Sequence, residues 1–218
     1  MADYNKTELE QDEKDIFEAE WDLLWTRHFK AREVIDVYQD HKASIMEACE
    51  VAKYQLEAKF GGANAKTNEF GWMPILPNAL LATTTPTYAT ATWKKDITTA
   101  NVTTRWIDWI GTSSTNLKLS KYATLIIIGF ADPIDEPKIG AILAKVKGVD
   151  HPIWYFDDQM QETDYPVVEL TVPIVVEPEQ EFYLQKLAVQ AGRDNLRPLG
   201  VYFAKGDHMR DKDLYARV

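Results

Sequence analysis

The chain is expected to fold as an α+β, mainly β protein: an antiparallel β-sandwich of jelly-roll type preceded by a long N-terminal α-helix. Three observations predict this. Asp15 to Phe60 contains no glycine and no proline, although the chain has 10 of each. Twelve threonines then fall between Thr83 and Thr115, and β-branched residues at that density favour strands. Beyond them, apolar or alternating runs recur every ten to fifteen residues or so with no helical segment between, the pattern of an antiparallel sandwich or barrel. Three segments follow: 1–62, a helical element with an acidic arm; 63–82, an ordered connector; and 83–218, a β-sandwich domain with a charged C-terminal arm.

The helix is expected to start near Thr7, which forms a capping-box pattern with Glu10. Residues 1–22 hold nine acids and two bases, which places −7 of the chain's net −10 at the positive end of the helix macrodipole. Phe17, Trp21, Leu24, His28, Ala31, Ile35, Tyr38, Lys42, Ile45, Cys49, Ala52 and Leu56 alternate at spacings of four and three, which makes an apolar seam. Trp25, Phe29, Val34 and Met46 widen it into a face suited to packing on a larger body. Gln39-Asp40-His41-Lys42 is the polar place for a bend, but without Gly or Pro a continuous or merely kinked helix is preferred to a hairpin. Unbroken from Thr7 to Phe60, it would be roughly 80 Å long. Gly61-Gly62 supplies the stop.

The connector, with Gly71, Pro74 and Pro77 among apolar residues, reads as packed on a surface. The strands are then read as TYATATW, ANVTTRWIDWI, LKLS after the turn GTSSTN, ATLIIIGF, KIGAILAKVKG, IWYFDDQM, VVELTVPIVV, EFYLQKLAV and LGVYFAKG. ATLIIIGF is the buried central strand, being apolar throughout. In VVELTVPIVV, Val168, Leu170, Val172, Ile174 and Val176 should face one way, and Pro173 marks an edge or a bulge.

Composition narrows the function. With 34 acidic against 24 basic residues, a bare nucleic-acid backbone is repelled, so no direct nucleic-acid partner is expected. No apolar run is long enough for a membrane span, and the polar, acidic N-terminus is unlike a secretory signal, which points to synthesis in the cytoplasm. The single cysteine, Cys49, forms no internal disulfide. Phosphate loops, nucleophile elbows, HExxH and CxxC pairs are all missing, so no enzyme and no cofactor is expected.

The weak metal candidates are Asp150, His151, Asp157 and Asp158, with Glu162 or Asp164 nearby; hard oxygen ligands would suit calcium or magnesium. The competing reading is an ordinary acidic loop. His41 and His208 sit in polar surroundings and are expected to be solvated, and Cys49 to be a buried filler. Trp93, Trp106, Trp109 and Trp154 could form a sugar-stacking platform or simply pack in the core.

The helix seam is the self-association surface expected from the sequence, carried by Phe17, Trp21, Leu24, His28, Ile35, Tyr38, Ile45 and Leu56. A dozen large apolar side chains, each contributing roughly 1.5–3 kcal/mol when buried, must be covered by something. The sequence therefore reads as a structural protein whose partner is itself, a homo-oligomer or the subunit of a shell such as a virion coat. The alternatives are a carbohydrate- or ligand-binding sandwich and a cupin-like metal-dependent enzyme.

Overall fold

A computed structural model describes residues 21, 25, 29–60, 70–77, 80, 93–111, 117–132, 138–156 and 167–205. Its elements, in chain order, are α1 (Arg32–Asp40), α2 (Lys42–Phe60), β1 (Phe70–Pro74), β2 (Lys95–Ile97), α3 (Thr99–Thr104), β3 (Trp106–Ile110), β4 (Leu117–Lys118), β5 (Ala123–Ala131), β6 (Ile139–Val146), β7 (Val149–Asp150), β8 (Trp154–Tyr155), β9 (Val167–Val176), β10 (Glu181–Ala188), β11 (Gly192–Asp194) and β12 (Arg197–Lys205).

Two antiparallel sheets face each other. One has the order β1-β12-β5-β9; the other runs β3-β10-β6-β7, with β4 also on β10 and β8 also on β6. With the short β2–β11 pair and β4 set aside and β7 and β8 taken as one strand, the first sheet holds the first, eighth, third and sixth strands. The second holds the second, seventh, fourth and fifth. That interleaving is the double Greek key of a jelly roll, as expected from the sequence.

The inner core lies between the sheets and contains Leu125, Ile127, Phe130, Ile142, Phe182, Leu184 and Tyr202. A second core lies on the outer face of the first sheet. There Trp21, Trp25, Tyr38, Ile45, Cys49 and Leu56 pack on Ile126 and Ile128 of β5 and on Leu199, Val201 and Phe203 of β12. The molecule thus has three layers, and β5 lies between two apolar ones, so all nine of its residues are buried. This is why ATLIIIGF is apolar without alternation.

The helical element departs from the continuous rod. Ala31 is extended (φ −75°, ψ 125°), and the Trp25 ring stacks on Tyr38 with centroids 3.8 Å apart. Thirteen residues of unbroken helix would separate them by about 20 Å. The chain therefore reverses around Phe29–Ala31, upstream of the Gln39–Lys42 cluster, because stacking Trp25, Phe29 and Tyr38 on one another buries three aromatic rings. At His41 the helix has only a one-residue irregularity, since Ile45 N still donates to His41 O at 2.9 Å. The Thr7 capping box, Gly61-Gly62, residues 87–92 of TYATATW and the C-terminal arm lie outside the described residues.

Other expectations are corrected. ANVTT is helical rather than extended: Asn101 N donates to Thr98 Oγ1 (3.2 Å) and Thr98 N to Asn101 Oδ1 (2.9 Å), a reciprocal cap that starts α3. The connector contains a true strand, β1, paired along β12 from Phe70↔Lys205 to Pro74↔Val201. Strand β9 does lie at a sheet edge, as Pro173 implied. However, its pairing with β5 shifts between Ile127↔Ile174 and Gly129↔Glu169, so Val172 bulges out and is 75% exposed instead of sharing the inner face with Leu170 and Ile174.

Burial sets the chemistry of both cores. The Cys49 thiol is pushed up from 9.0 to about 12, mainly by burial and further by Glu50. Burial likewise pushes the Tyr202 phenol up from 10.0 to about 12. The folded chain holds these protons to higher pH than the unfolded chain does. Their stabilising contribution is therefore complete below about pH 9 and is lost as pH rises toward 12. The urea midpoint should fall steadily across that window, and a thiol reagent at neutral pH should label Cys49 only at the rate of global unfolding. Rapid labelling of the folded chain would contradict the burial described here.

Candidate assembly surface

The seam predicted for self-association is closed within the chain. Trp21, Tyr38 and Ile45 have no exposed area and Leu56 has 2%, all against their own sheet; Ile35 is half-buried. These residues form an intrachain core, because the outer face of the β12–β5 pair presents an apolar surface of matching length. Phe17, Leu24 and His28 lie outside the described residues.

Tyr38 fastens the layers. Its hydroxyl accepts from Gly200 N at 2.8 Å and donates to Gly200 O at 3.2 Å, both buried. Burial lifts its pKa well above the usual phenol range, although the Gly200 hydrogen bond opposes the shift. His41, expected in solvent, is buried with Nε2 3.1 Å from Glu169 Oε1 on β9, so a second polar contact ties helix to sheet.

What remains outside is a different apolar surface. Val51 and Tyr54 on α2 are each 53% exposed, and Val172 (75%) and Val175 (39%) on β9 stand across from Val51. Between the two elements lies an open groove of about 530 Å³, lined by Ser44, Glu47, Ala48, Val51, Ala52 and Gln55 on one side and by Thr171, Val172, Pro173, Val175 and Glu177 on the other. A shallower depression beside Tyr54, Ala58 and Pro178 shares Gln55 and Glu177 with it. The β9 bulge creates this surface by turning Val172 outward. Pro173 contributes no N–H, so the edge is poorly suited to strand addition and presents side chains instead.

Glu177 closes one end of the groove. Its carboxylate accepts from Lys147 Nζ at 2.9 Å, from Gln55 Nε2 at 3.2 Å and from Gln180 Nε2. Lys147 is the main cause of its lowered pKa. The residue joins α2, β9 and the β6–β7 turn, which fixes the relation of the groove walls. Lined by Ala48, Val51, Ala52, Val172, Pro173 and Val175, with the carboxylates of Glu47 and Glu177 beside them, the groove can take up apolar side chains.

Of the other predicted sites, only some residues are described. Asp150 is ion-paired to Lys145 at 3.2 Å, and His151 stacks on Trp154 with centroids 6.2 Å apart. Asp157, Asp158, Glu162 and Asp164 lie outside the described residues, and among the described residues no group of three or more His, Cys, Asp or Glu side chains is placed to hold a metal. Trp93 and Trp109 are buried edge to face, 6.0 Å apart, in the inner core, while Trp106 and Trp154 are half-buried. The four do not form a stacking platform. No helix among the described residues is long and apolar enough to cross a membrane.

One pairing was missed in the sequence. Lys186 on β10 and Asp194 on β11 form an ion pair with neither side chain exposed. The signal was present, since Lys186 occupies an inward position of an alternating strand, in line with Phe182 and Leu184.

No protein-family model matches the chain, and no curated protein matches it. Among solved structures the chain is similar to one described as the crystal structure of infectious bursal disease virus VP2 subviral particle. The identity is 10% and the TM-score 0.24, and the match covers 64% of this chain and 38% of that one. The chain thus spans little more than a third of that protein's length, and the jelly-roll assignment above rests on the strand order alone.

Proposed function

We propose that this is a non-enzymatic structural protein that associates with copies of itself through the α2–β9 face, as the subunit of an oligomer or a shell such as a virion coat. One observation carries the reading: Val51, Val172 and Val175 remain exposed around one groove, and Tyr54 in the depression that adjoins it, after the seam has been closed in cis. Large side chains clustered in this way on a folded surface mark a contact site. The acidic balance suits a coat that encloses contents neutralised by something else. Synthesis in the cytoplasm, with a virion as destination, belongs to the same reading.

Light scattering across a concentration series, with electron microscopy of the same samples, tests it. The wild-type chain is expected to associate. Val172→Lys is expected to weaken association about tenfold or more while leaving the fold intact, since seating a lysine beside Val51 and Val175 forfeits about 1.4 kcal/mol or more per contact. A monodisperse wild-type monomer at high concentration would overturn the proposal.

A further inference from the structure

The Lys186–Asp194 pair has more of the features of a reaction centre than of an ordinary ion pair. Both side chains have zero exposure, and Lys186 Nζ contacts Asp194 Oδ2. The other carboxylate oxygen, Oδ1, accepts the Leu196 backbone N–H at 2.7 Å. The face of Trp109 covers the amine with its ring centre 5.3 Å away. An ammonium and a carboxylate left without water lose their solvation, and the loss is recovered only in part by their attraction. Proton transfer along the hydrogen bond removes both charges and leaves a neutral amine against a neutral carboxylic acid.

We propose that Lys186 and Asp194 condense spontaneously to an intramolecular isopeptide bond. The amine lone pair of Lys186 attacks the Asp194 carboxyl carbon, forming the C–N bond as the C=O π electrons move to Oδ1. The Leu196 N–H, already directed at that oxygen, stabilises the developing oxyanion as an oxyanion-hole donor does. A proton passes from the nitrogen to the hydroxyl at Oδ2, the C–O bond breaks, and the carbonyl re-forms. Two side chains become one amide plus one water; no oxidant, reductant or cofactor enters. Holding the reactants in contact on two strands replaces a bimolecular encounter, an advantage equivalent to effective molarities on the order of 10⁵ M or more. The surrounding apolar core accepts the neutral amide more readily than two ions.

The product ties β10 to β11 across the intervening turn and is independent of the assembly reading. Intact-mass measurement of the purified wild-type chain tests it. The expected mass is lower than the sequence mass by one water. Trypsin should fail to cut after Lys186, and the peptide running from Asp194 to Lys205 should travel covalently joined to the one ending at Arg193. Lys186→Met with Asp194→Leu, which replaces the pair by apolar side chains, should show the full mass. A folded wild-type chain that keeps its full mass after prolonged incubation overturns the proposal, whether or not the variant folds. So does a water loss that maps to any other peptide.

Discussion

Tyr38→Ala is expected to lower the stability of the folded chain by roughly 5 kcal/mol or more, enough to leave a domain of ordinary stability largely unfolded. Two losses combine. The ring stacks on Trp25 at 3.8 Å and lies 5.3 Å from Phe29, so truncation opens a cavity at the centre of the helix–sheet core. Removing a large aromatic side chain from such a site costs about 3–5 kcal/mol. Its hydroxyl also bonds both backbone groups of Gly200. The Gly200 carbonyl keeps a second donor, Ile75 N at 3.1 Å, whereas its buried N–H loses the hydroxyl that accepts it. An unmatched buried donor adds about 1–3 kcal/mol. Tyr38→Phe separates the two effects: it keeps the stack and should cost only the second amount. Urea unfolding of the three proteins, followed by tryptophan fluorescence, measures this. Equal stability of wild type and Tyr38→Phe would show that the hydroxyl contributes nothing to the closure.

The second large effect is expected at the other end of that contact. Gly200 has φ +145°, a conformation that side chains rarely adopt, and a Cβ there would sit 2.0 Å from the carbonyl oxygen of Ile126 and 2.9 Å from the Ile127 Cα. Both obstacles are backbone of the adjoining strand, so no rotamer change relieves the overlap. The register between β12 and β5 shifts at Leu199/Gly200. Glycine at this position therefore allows a bulge in the middle of a sheet covered on both faces. Gly200→Ala should destabilise the chain by at least about 3 kcal/mol, or yield only insoluble protein. Gly148→Ala is the matched control, since nothing lies within 4 Å of a Cβ there although φ is also positive (+77°); its cost should be the smaller backbone term alone. Comparing soluble yield and urea midpoint for the two variants checks the prediction. A Gly200→Ala protein as stable as the control would mean that the strand contact is looser than described.

Much of the β-sheet architecture was legible. The unbroken apolar character of ATLIIIGF marked a strand covered on both faces, and it lies between two cores. Pro173 marked an edge or a bulge, and β9 lies at an edge and carries a bulge. EFYLQKLAV was read as a strand, and β10 runs from Glu181 to Ala188 with Phe182, Leu184 and Lys186 buried. Local signals also misled where a stronger local interaction competed. Six residues rich in β-branched side chains read as strand, yet the Thr98–Asn101 cap, itself visible as a T-x-x-N spacing, makes them helical. Val172 satisfies a two-residue period, but the bulge opposite Ile128 turns it outward. A period cannot register an inserted residue, because pairing geometry belongs to two strands at once.

The spacing of Trp21, Tyr38, Ile45 and Leu56 determined that one face of the leading segment must be shielded from water, since apolar periodicity is a property of a single element. The sequence also determined that the chain is acidic and that an antiparallel, mainly β sandwich follows the helix, whereas the order of its strands and the place of β1 in it emerged only with the sheets. Only the tertiary structure decided what does the shielding: the chain's own sheet, with a reversal at Phe29–Ala31 that the aromatic stack stabilises. It likewise moved the exposed apolar surface to Val51, Tyr54, Val172 and Val175, and brought Lys186 onto Asp194. The physical reason is the same in each case. Burial of a side chain depends on the surface that arrives opposite it, and that surface comes from residues distant in sequence whose register is set only when the layers pack.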